Sequence, residues 1–296
     1  MSTVNASEAF INLNGTVLRS GIPVLTADNR GFRYGDGIFE TMLARDGRIR
    51  LAAYHFERLI NGLRYLQFTI PASFTAEHLA AQVAELCRQN GHALARVRLA
   101  AFRGEGGLWD LSGMAPSYLI QSWEVEEGSP GGLEAGGGMT RGAAGAAGVS
   151  LDVFEGGRKA CDPLSNLKSA NYLVYVLASL YAQKRGLSDC LVLNSRDRIA
   201  DSTIANVFYI KNGRIYTPPL SEGGVAGVMR RHLLEALPGA GWGVAEKETT
   251  TRDLETADEI FLTNAVRGIR PVSSFRGIVL DSSLTTIIQK NILATL

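Results

Sequence analysis

The sequence predicts an α+β fold, because strand-like segments outnumber helical ones and tight hairpin turns recur. Three turn signals carry this: Asn14-Gly15, Asp46-Gly47 and Asn212-Gly213 each join segments with a strand-like pattern. Asn-Gly and Asp-Gly tolerate the positive φ of a type I′ turn, so each reads as a hairpin. A doubly wound parallel sheet would instead place a helix between successive strands.

Taken in order, Ala9–Leu13 and Thr16–Leu18 form the first hairpin, and Phe39–Ala44 with Arg48–Leu51 form the second. Tyr54 to Leu66 follows with helical spacing at Phe56, Leu59, Ile60 and Leu63, and Ala76 to Gln89 is a second helix. Ala95–Phe102 alternates long polar and apolar residues and reads as a half-buried strand, as does Tyr118–Trp123. Glycine and alanine then dominate residues 127–148, a stretch with little to bury and much backbone entropy to lose. It divides a smaller N-terminal domain, residues 1–126, from a larger C-terminal one, residues 149–296. Beyond it the pattern predicts a helix from Ser169 to Lys184, strands at Cys190–Leu193 and Val207–Ile210, and a helix from Val228 to Leu237. A strand at Glu259–Leu262 and a closing helix from Ser282 to Leu293 complete the chain.

Composition narrows the function. Thirty Lys and Arg against 29 Asp and Glu leave a net charge of +1, which gives no reason to expect nucleic acid or an anionic membrane as partner. Cys87, Cys161 and Cys190 are too few for a disulfide scaffold or zinc site, and free thiols suit a reducing cytoplasm. No secretory signal, membrane span or metal site is expected. Lysine is absent before Lys159, and the chain holds six: Lys159, Lys168, Lys184, Lys211, Lys247 and Lys290. A search for a reactive amine is therefore short.

Lys168 stands just ahead of the helix predicted from Ser169, where the dipole would favour a neutral amine; the plainer alternative is a solvated side chain. Gly227, before the helix beginning at Val228, leaves backbone N–H groups open to an anion. Asp201 is an acid between two apolar segments, either a turn residue or a semi-buried carboxylate. Arg58 lies on the first long helix beside Leu59 and could simply be exposed. Gly35-Asp36-Gly37 lacks the third glycine and following helix of a dinucleotide fingerprint.

In combination these pieces are far more specific. Gly35–Thr41, His55–Leu59, Asn166–Tyr172, Asp201–Phe208 and Gly227–Arg230 follow the order found in class IV aminotransferases, and the chain resembles that family over most of its length. The family includes branched-chain and D-amino acid aminotransferases and aminodeoxychorismate lyases. The resemblance implies a two-domain fold type IV enzyme with a mixed, barrel-like β core, pyridoxal 5′-phosphate as cofactor, and a homodimer. It makes Lys168 the Schiff-base lysine and assigns the phosphate to Arg58 and the backbone N–H groups of Val228 and Met229. Asp201 would face the pyridine nitrogen, where the family more often has Glu, and Tyr172 would lie near the 3-hydroxyl. Thr263 and Asn264 are further cofactor-binding candidates.

Arg98 and Arg103 are the candidates for the substrate carboxylate, and Thr41 is a further substrate-binding candidate. Their odd spacing places the two arginines on opposite strand faces, so one of them enters the site. The activity implied is amino-group transfer between an amino acid and a 2-keto acid. The Gly35–Thr41 and Thr263-Asn264-Ala265 segments look like the lyases, whereas Asn171-Tyr172-Leu173 and the placement of Arg98 look more like the branched-chain aminotransferases; a silent cofactor-binding scaffold is the third alternative.

Overall fold

The computed structural model describes residues 9–110, 113–126 and 148–293, which form two compact units. The first takes in the described residues before 127 and also Lys168–Asn171; the second takes in the rest from Gly148 onward. The stretch read as a linker lies outside the described residues except for Gly148.

The first unit contains β1 (Phe10–Leu13), β2 (Thr16–Arg19), α1 (Arg30–Tyr34), β3 (Gly37–Arg45) and β4 (Arg48–Ile49). Then come α2 (Ala52–Tyr65), α3 (Ala76–Gln89), β5 (Leu94–Phe102) and β6 (Ser117–Glu124). The strands form one antiparallel sheet in the order β2-β1-β6-β5-β3-β4. Both N-terminal hairpins close as the dipeptides require, with Asn14 and Asp46 at φ 51° and 48°. Alternation along β5 sends Ala95, Val97, Leu99 and Ala101 inward. The core also takes in Leu59 and Leu63 of α2 and Leu79, Val83 and Leu86 of α3. Each contributes about 1.5–3 kcal/mol by burial. Thr75 caps α3 by accepting from the His78 backbone N–H at 3.1 Å.

The second unit runs β7 (Val149–Lys159), α4 (Pro163–Asn166), α5 (Leu173–Lys184), β8 (Asp189–Asn194), β9 (Ile199–Ser202), β10 (Asn206–Lys211) and β11 (Arg214–Thr217). It continues with α6 (Val228–Gly239), β12 (Val244–Glu246), α7 (Thr251–Glu255), β13 (Glu259–Asn264), β14 (Gly268–Phe275), β15 (Ile278–Val279) and α8 (Ser283–Leu293). Its nine strands make a mixed sheet, β12-β11-β10-β13-β14-β7-β8-β9, with β15 on β14. The sheet curls, so that the terminal β9 also meets β10. Parallel pairs occur at β11/β12, β14/β7 and β7/β8. β8 and β9 are buried along their whole length, as strands covered on both faces should be.

The α+β class holds, with one local correction that bears on the site. The helix expected from Ser169 begins only at Leu173, and Ser169 instead forms a β-bridge with Ile38. Lys168 therefore does not enter a helix, and the dipole argument for its reactivity lapses. Its backbone carbonyl accepts from Phe39 N at 2.8 Å, and Ala170 N donates to Gly37 O at 2.9 Å. The segment adds to the edge of β3 that short β4 leaves open.

Candidate active site

In the first unit three of the candidates, Thr41, Arg98 and Lys168, gather on the half-buried face of the sheet. Thr41 stands opposite Arg98 in the β3/β5 register. The Phe39 ring carries both the Arg98 guanidinium and the Lys168 ammonium, each 4.5 Å from its centroid. Arg103 is elsewhere: buried over Phe68, it donates to Asp36 and to the Leu66 carbonyl. Arg103 is thus engaged with Asp36 and Leu66, whereas Arg98 lies over Phe39 opposite Thr41.

The opposite face of β3 holds a buried charge cluster. Glu40 accepts two hydrogen bonds from Arg58, Nε to Oε1 at 2.8 Å and Nη2 to Oε2 at 2.5 Å, and a third at 2.6 Å from His55 Nδ1. Burial alone would raise the Glu40 carboxyl, but Arg58 and His55 outweigh it and hold it at about 2. Burial pushes the His55 imidazole below its ordinary value against the pull of Glu40, and the charges of Arg58 and Lys168 add to the lowering. His55 is thus a neutral donor that steadies Glu40, which in turn orients Arg58. Ionised Glu40 stabilises the fold fully above its unfolded value near 4.5, a contribution lost as pH falls through about 2. Along β3 Glu40 is buried with Ile38 and Met42, and a carboxylate there requires a cationic partner, a signal that strand alternation could have given.

In the second unit, Asp201 on β9 is almost wholly buried, so it is not a surface turn residue. Its Oδ2 accepts from Tyr175 Oη at 2.8 Å, Val225 N at 2.9 Å and Lys159 Nζ at 3.2 Å. Its Oδ1 is buried with no hydrogen-bond partner among the described residues. The Tyr175 phenol is pushed well above its ordinary value, first by burial and then by the Asp201 charge. Tyr172 packs its ring 4.6 Å from that of Tyr175 and donates to Thr203 O at 2.9 Å.

The start of α6 lies beside a polar strand pair. Gly227, the residue before its first turn, provides no side-chain cap for Val228 and Met229. A Cβ on Gly227 would fall 1.9 Å from Asn206 Oδ1, so a side chain there would have to displace Asn206. Asn206 pairs in register with Thr263, whose buried Oγ1 has no hydrogen-bond partner among the described residues. Asn264, at the end of the same strand, accepts through Oδ1 from Val266 and Arg267 N–H groups at 3.1 and 2.8 Å. An uncapped helix start beside a buried hydroxyl suits a phosphate, and an unpartnered carboxylate oxygen suits a protonated ring nitrogen. The residues therefore fit a phosphorylated pyridine cofactor.

Sequence reasoning missed Lys159, Tyr175 and the Glu40–His55 pair. Lys159 ends β7 after a register shift between Phe154 and Arg158, and such a bulge breaks the alternation from which its face could be read. Tyr175 lies on α5, an all-round apolar helix in which periodicity marks no single face.

The profile of the class IV amino-transferase family matches residues 37–275. A Methanocaldococcus jannaschii protein assigned as a branched-chain-amino-acid aminotransferase is 29% identical over 285 residues, 95% of this chain and 93% of the relative. The aminodeoxychorismate lyase of Vibrio harveyi is 30% identical over 253 residues, 83% of this chain and 85% of the relative. A branched-chain amino acid aminotransferase from T.th., solved with pyridoxamine 5′-phosphate, is similar at a TM-score of 0.82 and 22% identity, covering 97% of this chain and 93% of that one. Fold and relatives together define an enzyme that works through pyridoxal 5′-phosphate. The chain belongs to the class IV aminotransferases.

Proposed function

We propose that this enzyme transfers an amino group between an amino acid and a 2-keto acid, with Lys168 as cofactor anchor and proton carrier. The observation that carries the reading is the asymmetry of Asp201, one oxygen saturated with donors and the other unpartnered. When bound, pyridoxal 5′-phosphate supplies an electron sink for the pair left on the substrate Cα. Asp201 Oδ1 would hold the proton on the ring nitrogen that makes the sink effective. Lys168 would hold the cofactor through its amine, and that amine, when free, would take the substrate Cα proton as general base. By the family resemblance, Arg58 and the N–H groups of Val228 and Met229 would hold the phosphate, with Thr263 and Tyr172 as further cofactor contacts. Arg98 and Thr41 receive the substrate carboxylate.

A panel of L- and D-amino acids with 2-oxoglutarate or pyruvate as acceptor tests the reading by keto-acid formation. The similarity to the Vibrio harveyi lyase supports a second reading, conversion of aminodeoxychorismate to 4-aminobenzoate and pyruvate. 4-Aminobenzoate formation with no turnover on the panel would favour it. Neither product, with no spectral response to any amino acid, would leave a silent scaffold.

Arg58→Ala should weaken cofactor retention more than it slows chemistry, because a phosphate contact persists through every step. It also strands Glu40, and breaking a buried pair costs about 3–5 kcal/mol. Absorbance after dialysis checks this: a variant that keeps its cofactor yet loses turnover contradicts the assignment.

We also infer a homodimer acting in the cytoplasm, without nucleic acid or membrane partner. The near-zero net charge supports the latter, and among the described residues no helix is long and apolar enough to cross a membrane. A second copy of the chain is the occupant we assign to the outer face of α5, where Leu173, Val176, Leu177 and Leu180 are 78%, 44%, 51% and 40% exposed at helical spacing. Leu177→Glu with Leu180→Glu should halve the mass measured by light scattering. A retained dimer would remove this face from the interface.

A further inference from the structure

We propose that Lys159 is a positioning residue: it clamps Oδ2 of Asp201 and balances the carboxylate charge, so that Oδ1 is presented to the ring nitrogen as one fixed acceptor. The proposal rests on the cofactor role assigned above to Asp201. Lys159 ends β7 and is buried to 7% exposure, while Asp201 on β9 is 2% exposed. The ammonium donates to Asp201 Oδ2 at 3.2 Å, to the Ser165 carbonyl at 3.4 Å and to Tyr175 Oη. Tyr175 donates to the same Asp201 oxygen, so lysine, phenol and the Val225 N–H converge on one atom.

A carboxylate so far from water needs a countercharge, and Lys159 lies within ion-pair distance of Asp201 to supply it. Three donors on Oδ2 fix the carboxylate plane and exclude rotation that would exchange the two oxygens. The same geometry separates the roles of the two lysines. The ring nitrogen and the carbon bearing the aldehyde stand at opposite ends of the pyridine. A lysine held at the nitrogen's carboxylate is therefore badly placed to bond that carbon, consistent with Lys168 rather than Lys159 as the anchor.

The test is a double-mutant cycle on the holoenzyme, read by the rate of cofactor loss on dialysis and by the absorbance spectrum of the bound cofactor. Lys159→Met should hasten cofactor loss by about tenfold or more and shift the spectrum in the same sense as Asp201→Asn. Lys159→Arg, which keeps the charge, should restore most of the retention. In the Asp201→Asn background, Lys159→Met should add nothing, because its only route to the cofactor is through Asp201. Replacing both members of the pair leaves no unpaired buried charge, so the double variant stays informative should Lys159→Met alone fold poorly.

Effects of Lys159→Met and Asp201→Asn that multiply would overturn the proposal, as would a Lys159→Met spectrum equal to the parent's with retention unchanged. Loss of the covalent band in Lys159→Met, with the band kept in Lys168→Ala, would overturn it by making Lys159 the anchor. An Asp201→Asn variant with parental spectrum and retention would refute the underlying assignment of Asp201, a different and distinguishable failure.

Discussion

Lys168→Ala should abolish the visible absorbance of covalently held cofactor and lower turnover at least about a thousandfold, the range of a lost general base. The cofactor should still bind noncovalently, because Arg58, Thr263 and the α6 start are untouched. Folding should change little: Lys168 enters the fold through its backbone carbonyl, which accepts from Phe39 N, and alanine keeps that bond. The removed ammonium lies over the Phe39 ring, an interaction of about 0.5–1 kcal/mol at an accessible site. Borohydride reduction followed by peptide mapping provides the check. A label on any of the other five lysines would end the mechanism as written.

Asp201→Asn should lower the rate of Cα deprotonation by about a hundredfold or more, since an amide cannot hold a proton on the ring nitrogen as a carboxylate does. Covalent attachment to Lys168 should survive, because that bond asks little of the nitrogen. The fold should also lose about 3–5 kcal/mol, because Lys159 is left as a buried cation without its counterion. The two effects separate experimentally: single-turnover kinetics are normalised to bound cofactor, and thermal melts record stability. Asp201→Glu should be intermediate, restoring the family's commoner residue while forcing an extra methylene among Tyr175, Val225 and Lys159. Unchanged deprotonation in the Asn variant would remove Asp201 from the site.

Much of this is legible in the one-dimensional pattern. Asn14-Gly15, Asp46-Gly47 and Asn212-Gly213 are local chemistry, since positive φ is a property of those residues, and all three hairpins form. The helices α2 and α3 follow from apolar spacing, and the ordered motifs identify the family before any contact is known. Local pattern fails where a residue's neighbour is distant in the chain. The apolar run after Lys168 predicts a helix start at that point. Its backbone instead pairs with Phe39, 129 residues earlier, which no window around Asn166–Tyr172 reveals.

Fold class, family and the identity of the candidate residues follow from the chain's own letters, since these rest on short-range periodicity and on motif order. What each charged group faces is settled only when the chain is folded. Arg98 lies over Phe39 on the half-buried face while Arg103 is engaged by Asp36, although both lie in one short segment. Arg58 is oriented by Glu40 across 18 residues, and Asp201 is countered by Lys159 across 42. Alternation and helical spacing report which side of an element a residue occupies. They do not report which distant element covers that side, and the partner of a buried charge is set by that covering element.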